Sequence, residues 1–219
     1  MFITFEGIEG AGKTTQIKRL HAFLIKNGYE SIITREPGGT RIGGHIRAIL
    51  LNPQNSDMEP LAELLLYTAD RAQHINEIIK PALSSNKTVL CDRYFDATLV
   101  YQGVTRGLDT GLIKKLHETI FNNLKPDITF LLDLAPELGL QRAWKDINNG
   151  SRKNHETRFE NENFAFHEKI RAGYLELAHN EPERFCIIDA SKDQDHIYQD
   201  IIDSLKGRTR FLIAEGLNL

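Results

Sequence analysis

The sequence is short of the features that mark several protein classes. Its 219 residues include two cysteines, Cys91 and Cys186, each in an apolar run (VLCDR and RFCII). Neither CxxC nor His/Cys metal spacing occurs, which excludes a disulfide framework or a zinc site and leaves buried thiols as the expectation. No apolar run approaches the ~20 residues that span a bilayer. The first residues, MFITFEG, lead straight into strand-like sequence without the basic segment and apolar core of a signal peptide, so a cytoplasmic protein is expected. A basic excess is missing too: 27 Lys+Arg against 30 Asp+Glu give a formal net charge of −3. Generic binding to nucleic acid or an anionic membrane needs the opposite sign, so neither is an expected partner. A polyanion would have to be held by a local cluster. Repeats and low-complexity tracts are absent.

What is present alternates. Short apolar runs at 2–5, 31–34, 88–91, 128–132 and 185–188 read as strands covered on both faces. Between them lie helical stripes: Ile17/Leu20/Leu24, closed by Asn27-Gly28; Leu61/Leu64/Leu65/Ala72/Ile75/Ile79, opened by Pro60; then Leu112/Leu116/Ile120, Phe166/Ile170/Tyr174/Leu177 and Ile197/Ile201/Leu205. Such alternation predicts an α/β fold, a five-stranded parallel sheet with helices on both faces and ligands beyond the strands' carboxyl ends. At 24.9 kDa, residues 1–219 are expected to form one domain. One stretch, 146–160 (DINNGSRKNHETRFE), is polar, aperiodic and basic in places, and reads as an exposed loop or a functional one.

The segment GIEGAGKT fits G-x-x-x-x-G-K-[ST]. It follows a predicted strand and opens a predicted helix, the context in which backbone N–H groups converge on phosphate. Gly7, Ile8, Glu9, Gly10, Ala11, Gly12, Lys13, Thr14 and Thr15 are therefore the expected cradle of a nucleoside triphosphate. Lys13 would neutralise β/γ oxygens, and Thr14 would offer its hydroxyl to Mg²⁺. A GTPase switch would also need DxxG and NKxD. No aspartate has glycine three residues on, and the nearest form of the second, NKTV, ends in valine. Asp92-Arg93-Tyr94 ends the third predicted strand, so Asp92 could hold Mg²⁺ and Arg93 a second phosphate. Tyr67 and Arg71, four apart, share one helix side.

With TREPGGT, LLLYTADRAQH, CDRY followed by VYQG, KPDITFLLD, RFENENFAFHEKIRAGYLEL and IDAS, the chain resembles the thymidylate kinase family over nearly its whole length. The resemblance implies a three-layer P-loop nucleoside monophosphate kinase fold with a short mobile lid at about 146–160, a homodimer, and phosphoryl transfer from MgATP to dTMP. It gives Arg93 the acceptor's 5′-phosphate, Arg71 the thymine carbonyl and Tyr67 the base's face. Thr98 and Gln102 would face the base, Tyr101 would crowd a ribose 2′-hydroxyl, and Glu36 and Arg47 would complete the pocket. Glu9, a carboxylate inside a phosphate loop, would accept from the acceptor's 3′-hydroxyl. The loop lacks the arginine that some relatives carry, so the family's lid is expected to supply that cation, from Arg158 in TRFENENF, with Arg152 helping to attract ATP. Another nucleoside monophosphate or deoxynucleoside kinase would suit the same scaffold, and an ATP-hydrolysing assembly protein without an acceptor is the alternative from outside the kinases.

Overall fold

The computed structural model describes residues 1–150 and 156–214. All five expected strands form: β1 (Phe2–Glu6), β2 (Ser31–Arg35), β3 (Thr88–Asp92), β4 (Ile128–Asp133) and β5 (Phe185–Asp189). Each runs one residue beyond its apolar stretch and ends in Glu6, Arg35, Asp92, Asp133 or Asp189. The carboxyl edge of the sheet is thus a row of charged side chains. The strands are parallel in the order β2-β3-β1-β4-β5, with Ile3 paired to Leu90 on one side and to Ile128 on the other. The order reverses beside β1, which puts a ligand crevice above that strand.

In chain order the helices are α1 (Lys13–Lys26), α2 (Arg41–Leu51), α3 (Pro60–His74), α4 (Lys80–Ser84), α5 (Phe95–Thr98), α6 (Thr110–Phe121), α7 (Pro136–Asn148), α8 (Phe164–Asn180) and α9 (Gln194–Ala214). Wider π-helical turns at Ile75–Ile79 and Leu99–Thr105 continue α3 and α5. Pro60 occupies the first turn of α3, where no amide is needed, and Asn27 with Gly28 at φ 84° ends α1. Asn163 caps α8 by accepting from the Phe166 amide. α1 and α9 pack on each other and on the sheet, and α8 covers β4 and β5.

Three apolar patterns fold differently from their sequence reading. In α6 the buried face is Ile113, His117 and Phe121, while Leu112 and Ile120 face outward. His117 takes the inner place by stacking on Phe95 at 3.8 Å and reaching the Leu124 carbonyl at 3.0 Å. In α3 Leu64 is buried but Leu61 and Leu65 are about half exposed. Cys91 is buried as expected, whereas Cys186 is only partly so, and both thiols are free. The polar stretch 146–160 is also no single loop. It begins as the last turn of α7, and at its far end Thr157, Arg158, Phe159 and Glu160 are all buried.

Candidate active site

The crevice above β1 is a cleft of about 250 Å³. Its lining brings together loop residues Glu9 through Thr15 with Glu36, Arg47, Tyr67, Arg71, Asp92, Arg93, Thr98, Tyr101 and Gln102. Those residues are up to 93 positions apart in sequence, and all were expected at one site. Gly7 and Ile8 lie beneath rather than on the surface, and their carbonyls accept from Lys13 Nζ at 2.9 and 2.7 Å. Arg152 lies outside the described residues.

The loop's shape follows from its glycines. Gly10 has φ 72°, and a Cβ there would stand 2.0 Å from the carbonyl oxygen of Gly139, in the first turns of α7. Only hydrogen fits, so the loop and α7 are locked together. Among the described residues no side chain caps α1, so its first amides open on the cleft, where an anion gains from both the N–H groups and the helix dipole. Burial, with the charge of Arg93 adding to it, pulls the Lys13 ammonium down to about 8. Thr14 Oγ1 donates to Asp92 Oδ2 at 2.8 Å, which joins the two expected metal ligands at the cleft's edge. A hydroxyl beside a carboxylate is the hard oxygen set that suits Mg²⁺.

A second group of residues ties the loop to the sheet. Arg93 has φ 67°, a left-handed value uncommon outside glycine, of the kind that collects at functional sites. Its guanidinium donates to Glu9 Oε1 at 2.8 Å and to the Tyr174 hydroxyl at 3.0 Å, and lies over the Tyr101 ring at 5.0 Å. Tyr101 also donates to Glu9 Oε1, at 2.6 Å. Burial alone would raise the Glu9 carboxyl, but Arg93 and its other partners overcome this and hold it well below the usual range. Tyr174 in turn donates to Glu6 Oε2 at 2.6 Å, and the Tyr94 amide to Glu6 Oε1 at 2.8 Å.

Glu6 is fully buried, and that burial, joined by the charge of Asp96, pushes its carboxyl from 4.5 up to about 7. A carboxyl with a native pKa above its unfolded one takes up protons on folding. Stability from this group is therefore present at low pH, is lost as pH rises from 4.5 to about 7, and is flat above. Glu6→Gln should remove that slope. Thermal unfolding of both proteins across this window tests it, and parallel curves would contradict it.

The opposite wall is built on α3. Arg71 Nε donates to Glu36 Oε2 at 2.8 Å, and its NH2 group reaches Thr98 Oγ1 at 2.9 Å and the Tyr94 carbonyl at 3.2 Å. Glu36 Oε1 meets His74 Nδ1 at 2.8 Å, and the other His74 nitrogen meets Thr34 Oγ1 at 2.6 Å. A buried Arg71–Glu36–His74 chain thus fixes the guanidinium in place, so Glu36 acts largely by holding Arg71. Tyr67 lines the cleft one turn before it. Tyr101 and Gln102 ride on the π-helical turn after α5, an irregularity often found at functional sites. Arg47 Nε and NH2 both donate to Glu156 Oε2, at 3.1 and 2.7 Å.

Arg158 corrects the sequence expectation. It does not line the cleft and is buried. Its Nε donates to the Asn55 carbonyl and NH1 to the Leu50 carbonyl, both at 3.0 Å, and NH2 is bonded to the fully buried Glu63. An arginine committed at all three nitrogens is an anchor, not a cation free to meet a transferring group. Glu63 also accepts from Gln102 Nε2 at 2.7 Å, so the anchor reaches the cleft wall from behind. Sequence reasoning missed Glu6, Glu63, His74 and Tyr174, whose partners are set by the fold. It also missed Phe159 and Glu160, which line the cleft from the stretch read as a loop.

Known proteins resemble this chain over nearly its whole length. A family model described as thymidylate kinase matches residues 5–201. The chain is 58% identical over 190 residues to the thymidylate kinase of Desulfosudis oleivorans, spanning 87% of this chain and 89% of that one. It is 56% identical to that of Geotalea uraniireducens, over 98% and 99% of the two chains. The crystal structure of thymidylate kinase from Ehrlichia chaffeensis superposes with a TM-score of 0.73 at 33% identity, covering 94% of this chain and 98% of that one.

Proposed function

The chain belongs to the thymidylate kinase family, and we propose that it transfers the γ-phosphoryl group of ATP to the 5′-phosphate of dTMP, yielding dTDP for dTTP synthesis in the cytoplasm. The observation that carries this reading is the single cleft in which the phosphate loop faces the Tyr67–Arg71–Thr98–Gln102 wall, with Arg93, Glu9 and Tyr101 at their junction.

In this reading ATP phosphates lie against the loop amides and Lys13, which exchanges its two loop carbonyls for phosphate oxygens. The thymine ring lies along Tyr67 with its carbonyl at Arg71, and Thr98 and Gln102 meet its edge. Arg93 turns from Glu9 to the acceptor phosphate. A phosphate monoester has a second pKa of about 6 and is mostly dianionic at neutral pH, so its oxygen attacks the γ-phosphorus without a general base. The bond to the β,γ-bridging oxygen breaks and ADP leaves. The residues contribute alignment and charge neutralisation. Mg²⁺, held by Thr14 and Asp92, would supply further neutralisation of the ATP oxygens. The chain acts as one catalytic domain, with the family's lid expected at about 146–160. With Arg158 committed elsewhere, the lid cation in this proposal is Arg152. ADP release measured with dTMP, dUMP, dCMP, dGMP, AMP and thymidine in turn tests the acceptor, and dTMP should be consumed fastest. Preference for any other acceptor would replace this reading with a sister kinase.

We also infer a homodimer. α2 and α3 pack together and leave Ile42, Ile49, Leu61 and Leu65 each about half exposed, the kind of apolar surface that a subunit contact covers. Sedimentation equilibrium should give twice the 24.9 kDa chain mass, and Leu65→Arg should return the single-chain mass with the fold intact. A wild-type protein of 24.9 kDa would contradict it.

A further inference from the structure

Behind the junction of the cleft sits an unexplained histidine. His167, in the first turn of α8, is fully buried, and neither of its ring nitrogens has a hydrogen-bond partner among the described residues. The second oxygen of Glu9, Oε2, is likewise buried without a hydrogen bond. The two face each other: His167 Nδ1 stands 3.5 Å from Glu9 Oε2, a long contact that helps hold the Glu9 carboxyl low but is not yet a hydrogen bond of normal length. Buried polar atoms are nearly always satisfied, and those that are not call for an explanation. The ring's contact with Phe166, edge-on at 5.6 Å, accounts for packing but uses neither nitrogen.

The lone pairs of Glu9 supply the explanation. Oε1 already accepts from both Arg93 and Tyr101, and this fills its two lone pairs. A third donor, such as a sugar hydroxyl, finds no place on it. When Arg93 leaves for an acceptor phosphate, Oε1 regains one lone pair, but the carboxylate loses its hydrogen-bonded cation and keeps only the more distant favourable charge of Lys13. A buried carboxylate stripped of its counter-ion requires another donor. His167 Nδ1 stands 3.5 Å from its free oxygen.

We propose that His167 is a positioning residue for Glu9: as Arg93 departs, Nδ1–H takes the Oε2 oxygen and aims Oε1 at the acceptor's 3′-hydroxyl. The inference rests on the proposed reading of Glu9 as the residue that accepts from that hydroxyl. It makes His167 a determinant of 3′-hydroxyl recognition that never touches the nucleotide.

Steady-state kinetics on dTMP and on its 3′-deoxy analogue, for the wild type and for Glu9→Gln, His167→Phe and His167→Asn, tests it. An asparagine amide can place its NH2 group near the position of Nδ1, whereas phenylalanine keeps the volume without a donor. The expected result is that His167→Phe raises KM for dTMP by about tenfold, the worth of one charge-assisted hydrogen bond. The 3′-deoxy acceptor, which draws Arg93 away as well but offers Oε1 no hydroxyl, should lose clearly less, and His167→Asn should recover most of the loss. Equal losses on both acceptors, or no recovery in His167→Asn, would make the residue a packing group and overturn the inference. If Glu9→Gln also fails to distinguish the acceptors, the reading of Glu9 falls first. If it does distinguish them, only the role of His167 falls.

Discussion

Lys13→Ala should lower kcat by about a thousandfold, on the scale of removing one strong electrostatic contact to a developing charge, while KM for dTMP stays close to normal. Lys13 opens α1 at the base of the cleft, and its ammonium is held by the carbonyls of Gly7 and Ile8. Those bonds compete with phosphate for the same three protons. Burial with Arg93 nearby brings the group down to about 8, with Asp92, Glu9 and Glu6 opposing that pull, so it still carries its charge at neutral pH. The dTMP wall, from Tyr67 to Gln102, is made by other elements and should bind as before. Turnover in a folded Lys13→Ala protein within a few fold of normal would remove the phosphate loop from the mechanism.

Arg158→Ala should act on stability instead of chemistry. Removing one partner of a buried pair leaves the other charged and unpaired, which costs about 3–5 kcal/mol. Here the survivor is Glu63, which has no exposed surface but keeps Gln102 Nε2 at 2.7 Å and Arg106 Nε at 3.6 Å. The loss should therefore fall at the low end of that range, although the carbonyls of Leu50 and Asn55 also lose their donors. Denaturant unfolding should show the loss, and the double variant Glu63→Met with Arg158→Met should recover much of it by replacing the pair with packed side chains. The fraction of Arg158→Ala that remains folded should turn over at a rate near normal. If that variant is as stable as wild type but about a thousandfold slower, Arg158 is the catalytic lid cation and its buried arrangement belongs to another state.

Much of this was legible in the sequence, for physical reasons that can be named. A strand covered on both faces must be apolar along its length, so VLC or ITFLL announces itself. The phosphate loop is a local device, and its glycines and lysine lie within eight residues. The DRY and TREPGGT segments sit at strand ends, where the chain itself delivers them to the crevice. Apolar periodicity misled where a polar side chain found a partner inside: His117 displaced Leu112 and Ile120 from the inner face of α6 by stacking on Phe95. Arg158 misled for the same reason on a longer scale. Its partner Glu63 is 95 residues away, and nothing local distinguishes an arginine that will be buried from one that will reach a nucleotide. Glu6 and Tyr174, 168 residues apart, were invisible as a pair until the sheet and α8 were set against each other.

The central claim is that one cleft passes a phosphoryl group from ATP to dTMP. Incubation with ATP labelled in its γ-phosphate, in the presence of dTMP and Mg²⁺, tests it most directly. The account predicts that the label appears in the β-position of dTDP, with little in inorganic phosphate and almost none released when dTMP is omitted. Label released as inorganic phosphate at the same rate with or without dTMP would contradict it, because the cleft would then hydrolyse ATP without an acceptor.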